Sequence, residues 1–243
     1  MRMDDSDCPL IVDEIDLIAE HLPMDGARVL ELGCGAAQAT RKVAERFRIA
    51  EMLATEVDEI QHAKNLAARA IPGVRFTLGG AERIAAEDAT FDTVLMFKSL
   101  HHVPQGKLDA ALSEIARVLR PGGLAWISEP IFRGNFNEVM RIFHDEQRVR
   151  EAAFAALRRA VDDGVFESAA QLFFSVERSF IDFAEFEQQM IGVTHTEHRL
   201  DAALLSRVRV EFEKHLSPDG ARFEQPMRVD VLRATGGIAE ARK

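Results

Sequence analysis

The chain has 243 residues, of which 47% are hydrophobic and 29% are charged, a balance typical of a soluble globular protein. This length accommodates one α/β domain with an added cap or two small domains, and it is sufficient to bury a core without disulfides or a metal. The net charge of −10 argues against a broad electrostatic contact with nucleic acid, so we expect no nucleic-acid partner.

Cysteine content and the N-terminal sequence bear on location. Cys8 and Cys34 are the only cysteines, and they show neither the spacing of a disulfide framework nor that of a zinc site. Residues 1–9 lack a basic segment followed by an apolar stretch, and no apolar run approaches membrane-spanning length. The sequence therefore predicts a cytoplasmic protein with no membrane partner.

The first predicted elements are a helix and a strand that ends in glycines. Residues 9–22 carry apolar side chains near helical spacing, and we predict that residues 1–26 form an N-terminal cover helix and turn. Residues 29–32 then predict a short buried strand, Gly33 and Gly35 end it, and a helical pattern begins near Thr40. Because glycine permits close approach of a ligand and a helix N-terminus offers unpaired N–H groups, this loop is a candidate binding site.

Several interpretations of this loop compete. A phosphate-binding P-loop would need a Gly-Lys-Ser/Thr ending, and none follows. A dinucleotide-binding loop would need a third glycine at the position of Gln38, whose side chain would crowd a pyrophosphate. A loop that binds S-adenosylmethionine and a tight turn without a ligand both remain open at this point.

The next strand, residues 52–55, is followed by an acidic residue. Glu56 lies about 20 residues beyond the glycines in the sequence. This spacing is typical of a carboxylate that accepts hydrogen bonds from ribose hydroxyls. A helix-capping role fits Asp58 better than Glu56, because the next predicted helix begins near Asp58. We therefore predict that Glu56 contacts a ligand.

Strands and helices continue to alternate, which predicts a parallel, doubly wound sheet. The remaining predicted elements of this region are a helix over 58–70, strands over 74–78 and 91–97, a helix over 105–119 and a strand over 124–128.

As a set, these landmarks resemble the class I S-adenosylmethionine-dependent methyltransferases, in the branch that includes small-molecule and quinone-biosynthesis enzymes. The resemblance covers roughly the first 130 residues, and residues 227–233 are similar to the last, antiparallel strand of the family. The segments that carry it are Glu31-x-Gly33-x-Gly35-x-Ala37, Glu56, Gly80-Ala81-Glu82, residues 91–94, Leu100-His101-His102-Val103 and residues 114–123.

The resemblance implies an α/β fold, with a doubly wound, Rossmann-like, mostly parallel seven-stranded sheet whose last strand is antiparallel, plus a helical lid. The implied divisions are a cofactor-binding core over 27–130, a helical lid or substrate region with a sixth strand over 131–222, and a C-terminal strand over 223–243.

The resemblance also implies S-adenosylmethionine as cofactor, with S-adenosylhomocysteine as product. The glycine loop and Phe97 would approach the methionine part, Glu56 the ribose, and residues 80–82 the adenine. Gly80 departs from the family, which commonly has an aspartate there, and whether Glu82 replaces it is left open. The residues implied to bind the cofactor are Glu31, Gly33, Cys34, Gly35, Glu56, Val57, Gly80, Ala81, Glu82 and Phe97.

Three further positions are candidates for chemistry near the predicted site. The positive charge of Lys98 would be repelled by the sulfonium of the cofactor. Two interpretations of Lys98 are therefore open: it recognises an anionic substrate, or it is a solvated lysine at a strand end. His101 and His102 are candidates for a catalytic proton acceptor, although such a pair in this family is often part of the scaffold.

The region beyond residue 130 contains 12 of the 16 phenylalanines. It predicts helices over 136–160, 183–190 and 201–216 and a strand over 176–181, which form either their own core or an apolar lid for a small organic substrate. Arg133, His144 and Arg148 are candidate polar contacts there. The His195-x-x-His198 pair lacks a third ligand at standard spacing, so we predict no metal.

The sequence thus predicts methyl transfer from S-adenosylmethionine to an O, N or C nucleophile of a small organic molecule. A cofactor-binding regulatory protein without methyl transfer is the alternative. Gln38 disfavours a nicotinamide-dependent oxidoreductase, and the acidic net charge disfavours methylation of nucleic acid. A homodimer that forms through apolar surfaces of the lid is left open.

Overall fold

The computed structural model describes residues 1–11, 13–192 and 200–236, which form nine strands and eight α-helices. The strands are β1 (Leu10–Ile11), β2 (Arg28–Leu32), β3 (Glu51–Glu56), β4 (Val74–Leu78), β5 (Phe91–Phe97), β6 (Leu119–Pro130), β7 (Phe166–Phe180), β8 (Leu216–Ser217) and β9 (Gly220–Ala234). The helices are α1 (Glu14–His21), α2 (Gln38–Arg46), α3 (Glu59–Ala67), α4 (Leu108–Val118), α5 (Asn135–Met140), α6 (Gln147–Asp162), α7 (Phe183–Phe186) and α8 (Ala202–Glu213). Short 3₁₀ turns cover Leu100–His102 and Gln105–Lys107, and a π-helical turn covers Glu187–Ile191.

One mixed sheet organises the fold, in the order β1-β7-β9-β6-β5-β2-β3-β4, with β8 paired to β9. Strands β2 to β6 run parallel to one another, whereas β9 runs antiparallel between β6 and β7. Seven strands are five residues or longer, and β1 and β8 have two residues each. The predicted fold class, a mostly parallel seven-stranded sheet with an antiparallel last strand, is confirmed.

Both faces of the sheet are covered, which explains why its central strands are almost entirely apolar. Leu30, Val94 and Ile127 point to the face covered by α4 and α6. Trp126 and Val229 point to the opposite face, where α1 packs. The carboxyl ends of the parallel strands therefore lie along one edge, and residues that follow those strands meet there.

The region after residue 130 has a separate aromatic core between α5, α7, α8 and the ends of β7 and β9. Its rings contact one another at centroid distances such as 5.2 Å for Phe180–Phe186 and 5.5 Å for Phe212–Phe223. Most of these side chains are fully buried, so the phenylalanine-rich region packs against itself. The aromatic core comprises Phe136, Phe180, Phe183, Phe186, Phe212 and Phe223.

Several predicted elements differ from the structure. Helix α1 begins only at Glu14, after an Asp13 cap, because Leu10 and Ile11 pair with β7. The helix predicted over 136–160 is interrupted between α5 and α6, where Glu146 turns toward buried polar groups. Strands β7 and β9 begin ten and seven residues earlier than predicted, because they pair with each other along their full length.

Among the described residues, no helix combines the length and apolar character needed to cross a membrane.

Candidate active site

The loop between β2 and α2 lies at the carboxyl edge of the sheet and depends on two glycines. Gly33 has a φ of +71°, and a Cβ there would lie 2.7 Å from the Ser99 Cβ. The Ser99 hydroxyl donates to the Leu32 carbonyl at 2.8 Å, which fixes this close approach. Gly35 has a φ of +51°, and no atom lies within 4 Å of where its Cβ would be. The backbone at Gly35 therefore borders open space that a ligand can enter.

Glu56, the last residue of β3, is 6% exposed, and its carboxylate is fixed by backbone groups. One oxygen accepts from the Gly35 N–H at 2.7 Å. The other accepts from the N–H groups of Val57 and Asp58 at 2.8 and 3.0 Å. Asp58 separately caps α3, as predicted, by accepting from the N–H groups at the start of that helix. The glycine loop and the acidic residue predicted to work with it are thus in direct contact.

Glu31 lies beneath the loop, 1% exposed, and accepts from the Thr40 hydroxyl at 2.6 Å. Burial raises its pKa to about 7, the Thr40 hydrogen bond opposes this shift, and the Glu56 charge adds to it. A cation placed near Glu31 would therefore stabilise its charged form.

Asn65 supports the loop from α3 and was not identified from the sequence. Its Nδ2 donates to the Gly35 carbonyl at 2.8 Å, and its Oδ1 accepts from Gln61 Nε2 at 2.9 Å. The signal available in the sequence was weak, a polar pair four residues apart on one helix face. Cys34 is buried in the same loop, and burial raises the pKa of its thiol, so the side chain stays neutral.

The adenine position implied by the resemblance contains Gly80, Ala81 and Glu82. A Cβ on Gly80 would collide with the Glu82 carboxylate, which also accepts from Lys107 Nζ at 2.7 Å. The Glu82 carboxylate thus occupies the volume that an aspartate at position 80 would take. Ala81 is buried, whereas Val57 is 65% exposed.

The end of β5 brings Phe97 and Lys98 to the same edge. Lys98 has a φ of +54°, a left-handed conformation that costs a non-glycine residue about 1 kcal/mol or more. Its N–H donates to the Ser128 carbonyl at 2.7 Å, and its side chain is half-buried.

His101 is buried in a charge network that the sequence did not predict. Its Nδ1 contacts Glu129 Oε2, and its Nε2 lies 3.3 Å from Glu146 Oε1. Burial lowers the pKa of His101, but the charges and hydrogen bonds of these two carboxylates outweigh it and raise the pKa to about 9. Glu146 also pairs with His144 at 2.8 Å and with Arg150 at 2.5 Å. His101 is therefore a cation whose ring nitrogens both face carboxylates.

His102 differs from its neighbour, because it is exposed and its ring centroid lies 4.1 Å from that of His101. Candidate ligand atoms of His101, His102 and Glu146 lie within 4.8 Å of one another. Both ring nitrogens of His101 are already engaged, as described above, and this opposes metal binding. The predicted His195–His198 pair falls in residues 193–199, outside the described residues.

The predicted polar contacts of the region after residue 130 have different surroundings. Arg133 contacts the N-terminal segment, with Nε 2.9 Å from Asp4 Oδ1 and Nη2 3.0 Å from Cys8 Sγ. His144 belongs to the Glu146 network, and Arg148 is exposed.

Residues 29–123, which include the glycine loop, Glu56 and the His101-His102 pair, match the family model described as a methyltransferase domain. This part of the chain is therefore a methyltransferase domain, in line with the resemblance to the class I S-adenosylmethionine-dependent methyltransferases. A domain of that class implies use of S-adenosylmethionine, and the open space at Gly35 beside the buried Glu56 carboxylate fits such a group.

Curated relatives resemble less than half of this chain. A fatty-acid O-methyltransferase from Mycolicibacterium smegmatis is 38% identical over 107 residues, which are 43% of this chain and 38% of that protein. Phthiotriol/phenolphthiotriol dimycocerosates methyltransferase 1 from Mycobacterium ulcerans is 31% identical over 105 residues, again 43% of this chain and 38% of that protein. The chain thus spans little more than a third of the length of these relatives.

A solved structure extends the similarity in fold over most of the chain. The YcgJ protein from Bacillus subtilis aligns with a TM-score of 0.65, covering 92% of this chain and 98% of its own, at 15% identity. Such low identity establishes a common fold and leaves the acceptor undefined.

Proposed function

We propose that this protein transfers a methyl group from S-adenosylmethionine to an O, N or C nucleophile of a small organic molecule. The observation that carries the proposal is the hydrogen bond from the Gly35 N–H to the buried Glu56 carboxylate, beside open space, within the matched domain. The names of two relatives, which refer to a fatty acid and to dimycocerosates, support an acceptor with a large apolar part.

We assign the cofactor to the residues around this loop. When bound, S-adenosylmethionine supplies an electrophilic methyl group on a sulfonium, so the chain has to provide alignment and to exclude water. Glu56 would accept from the ribose hydroxyls, and Glu31 would face the positive end. Glu82 would accept from the adenine amine in place of the missing aspartate, with Val57 as an apolar contact. The other assigned positions are Gly33, Cys34, Gly35, Gly80, Ala81 and Phe97.

The two histidines receive different roles in this proposal. A protonated His101 held between Glu129 and Glu146 has no lone pair with which to take a proton from an acceptor, so we propose a positioning role for it. His102 is the exposed member of the pair and remains the candidate proton acceptor. Because Arg133 and His144 are engaged by Asp4 and Glu146, we propose that they position those segments. The cytoplasmic location and the homodimer remain predictions.

Titration calorimetry with S-adenosylmethionine and S-adenosylhomocysteine tests the proposal. We expect micromolar binding to cofactor-stripped protein. Glu56→Ala should weaken it by about tenfold or more, because a hydrogen bond to a charged group contributes about 1.5–3 kcal/mol. The matched control Glu59→Ala, an exposed acid at the start of α3, should bind like the wild type.

Three results would contradict parts of this proposal. An absence of binding by the wild type would remove the cofactor assignment. Equal binding by Glu56→Ala would remove the ribose contact. Tight binding without methyl transfer to any acceptor of a broad panel would favour the alternative of a regulatory protein.

A further inference from the structure

Helix α3 buries a polar side chain and leaves apolar side chains exposed. Of its nine described residues, one is buried, and that residue is Asn65. Asn65 is 5% exposed, whereas Ile60 and Leu66 on the same helix are 58% and 62% exposed. A buried amide destabilises a fold unless its polar atoms are hydrogen-bonded, so an apolar residue is the usual choice at such a position. The amide of Asn65 therefore has to be explained by the groups that it contacts.

Both backbone polar groups of Gly35 are held by one strand–helix unit, β3 followed by α3. Glu56, the last residue of β3, accepts from the Gly35 N–H at 2.7 Å. Asn65, on α3, donates from Nδ2 to the Gly35 carbonyl at 2.8 Å. Gln61 holds Asn65 in turn, because its Nε2 donates to the Asn65 Oδ1 at 2.9 Å. The carboxylate and the amide thus act on the two sides of the same glycine.

Gly35 has little steric restraint of its own. Its φ is +51°, and no atom lies within 4 Å of where its Cβ would be. Because glycine has access to more backbone conformations than any other residue, its peptide groups can rotate unless hydrogen bonds hold them. Without the Asn65 donor, the Gly35 carbonyl would be free to turn, and the N–H that now contacts Glu56 would lose its direction. Asn65 therefore stabilises the loop conformation in which Gly35 and Glu56 are in contact.

We propose that Asn65 is a positioning residue for the ribose of S-adenosylmethionine, because it holds Gly35 and thereby orients the Glu56 carboxylate toward the ribose hydroxyls. This inference rests on the proposed methyl transfer and deepens it. It makes Asn65 a determinant of the preference for a ribose over a 2′-deoxyribose. Asn65 needs no contact with the cofactor for this role, since its amide is directed at Gly35 and Gln61.

The test compares S-adenosylhomocysteine with its 2′-deoxyribose analogue, by titration calorimetry on cofactor-stripped protein. We expect the wild type to bind the ribose compound about tenfold more tightly, because a hydroxyl that donates to a charged acceptor contributes strongly to affinity. Asn65→Leu should weaken binding of the ribose compound by about tenfold and leave that of the analogue nearly unchanged. The matched control is Lys64→Leu, which introduces the same side chain at the exposed neighbouring position and should keep the preference.

A second variant and a stability measurement separate positioning from folding. Asn65→Ala removes the amide without adding apolar bulk, and it should lose the ribose preference as Asn65→Leu does. Urea denaturation gives the free energy of unfolding of each variant. A role in the fold alone would change that free energy and leave the ratio of the two ligand affinities at its wild-type value.

A double-mutant cycle tests whether Asn65 acts through Glu56. Adding Asn65→Leu to Glu56→Gln should weaken the binding of S-adenosylhomocysteine by about twofold or less, against about tenfold in the wild-type background. Residues that act through one another show such a coupling, whereas independent residues give additive losses. Additive losses would overturn the proposed route through Glu56.

The remaining outcomes are separable. The proposal is overturned if both Asn65 variants keep the ribose preference, or if they weaken the two ligands equally. A wild type that binds S-adenosylhomocysteine without preferring it over the analogue would remove the ribose contact of Glu56 and this inference with it. Failure of the wild type to bind S-adenosylhomocysteine at all would refute the proposed function itself.

Discussion

The polar groups around the glycine loop and those beyond β5 are satisfied in different ways. Around the glycine loop, Glu56, Asn65 and Ser99 each bond to backbone atoms. Beyond β5, Glu146 instead bonds to the side chains of His101, His144 and Arg150. Contacts to the backbone fix a loop shape that many sequences can share, whereas contacts between side chains require several particular residues at once. This contrast agrees with a family match that ends at residue 123.

The largest expected effect comes from breaking the charge network around His101 and Glu146. His101→Gln leaves Glu129 and Glu146 buried without their shared cation, so unfolding at about pH 6 should require about 3–5 kcal/mol less than in the wild type. Urea denaturation measures this loss. The neighbouring exposed residue provides a control, His102→Gln, with an expected change of about 0.5 kcal/mol or less. Equal losses in the two variants would refute the network.

His101 also predicts a pH dependence. Its pKa is about 9 in the folded protein and 6.5 by default, so the folded state binds the proton more tightly. The stability that it contributes is complete below pH 6.5 and is lost as the pH rises through about 9, a difference of about 3 kcal/mol. Wild-type stability should therefore fall across this window. His101→Gln should lack that slope.

Glu31, beneath the glycine loop, should cause a similar loss of folding stability at lower pH. Its pKa rises from 4.5 to about 7 on folding, so stability should fall between these values by up to about 3 kcal/mol. Glu31→Gln can still accept from Thr40, and we expect it to be more stable than the wild type at about pH 8. A variant that is less stable at that pH, or that keeps the slope, would contradict the shifted pKa.

The smallest expected effect is an exchange of carboxylates at the adenine position. Glu82→Ala should weaken S-adenosylmethionine binding by about tenfold. Gly80→Asp combined with Glu82→Ala should restore it, because the new side chain enters the volume that Glu82 leaves. Gly79→Asp with Glu82→Ala serves as control, since a Cβ at Gly79 faces open space, and it should not restore binding. Calorimetry distinguishes the three variants.

The bounds of a strand could be predicted where its own hydrophobic pattern and the turns beside it define them. Strands β4 and β5 have the predicted bounds, and β2 and β3 differ by about one residue, because each is a short apolar run ended by glycine or a charged residue. The lengths of β7 and β9 could not be predicted. They depend on pairing between residues 166–180 and 220–234, and neither segment shows it alone.

The residues of the candidate site also differ in how far the local sequence predicts them. Gly33, Gly35 and Glu56 were identified because they form a motif with a fixed spacing, and their contact is present in the structure. Their ligand contacts, like those of the other predicted site residues, stay predictions. Asn65 was missed because its role depends on a contact with Gly35, which lies 30 residues away in the chain.

The position of β9 has a consequence for biosynthesis. It is the last of the described strands in chain order, yet it lies between β6 and β7 and pairs with both. While the ribosome is still making residues 181–219, β6 and β7 each have an open hydrogen-bonding edge, and such edges recruit other chains. The nascent chain therefore passes through an aggregation-prone interval that closes only with β9, and premature termination within that interval would leave products suited to chaperones or proteases.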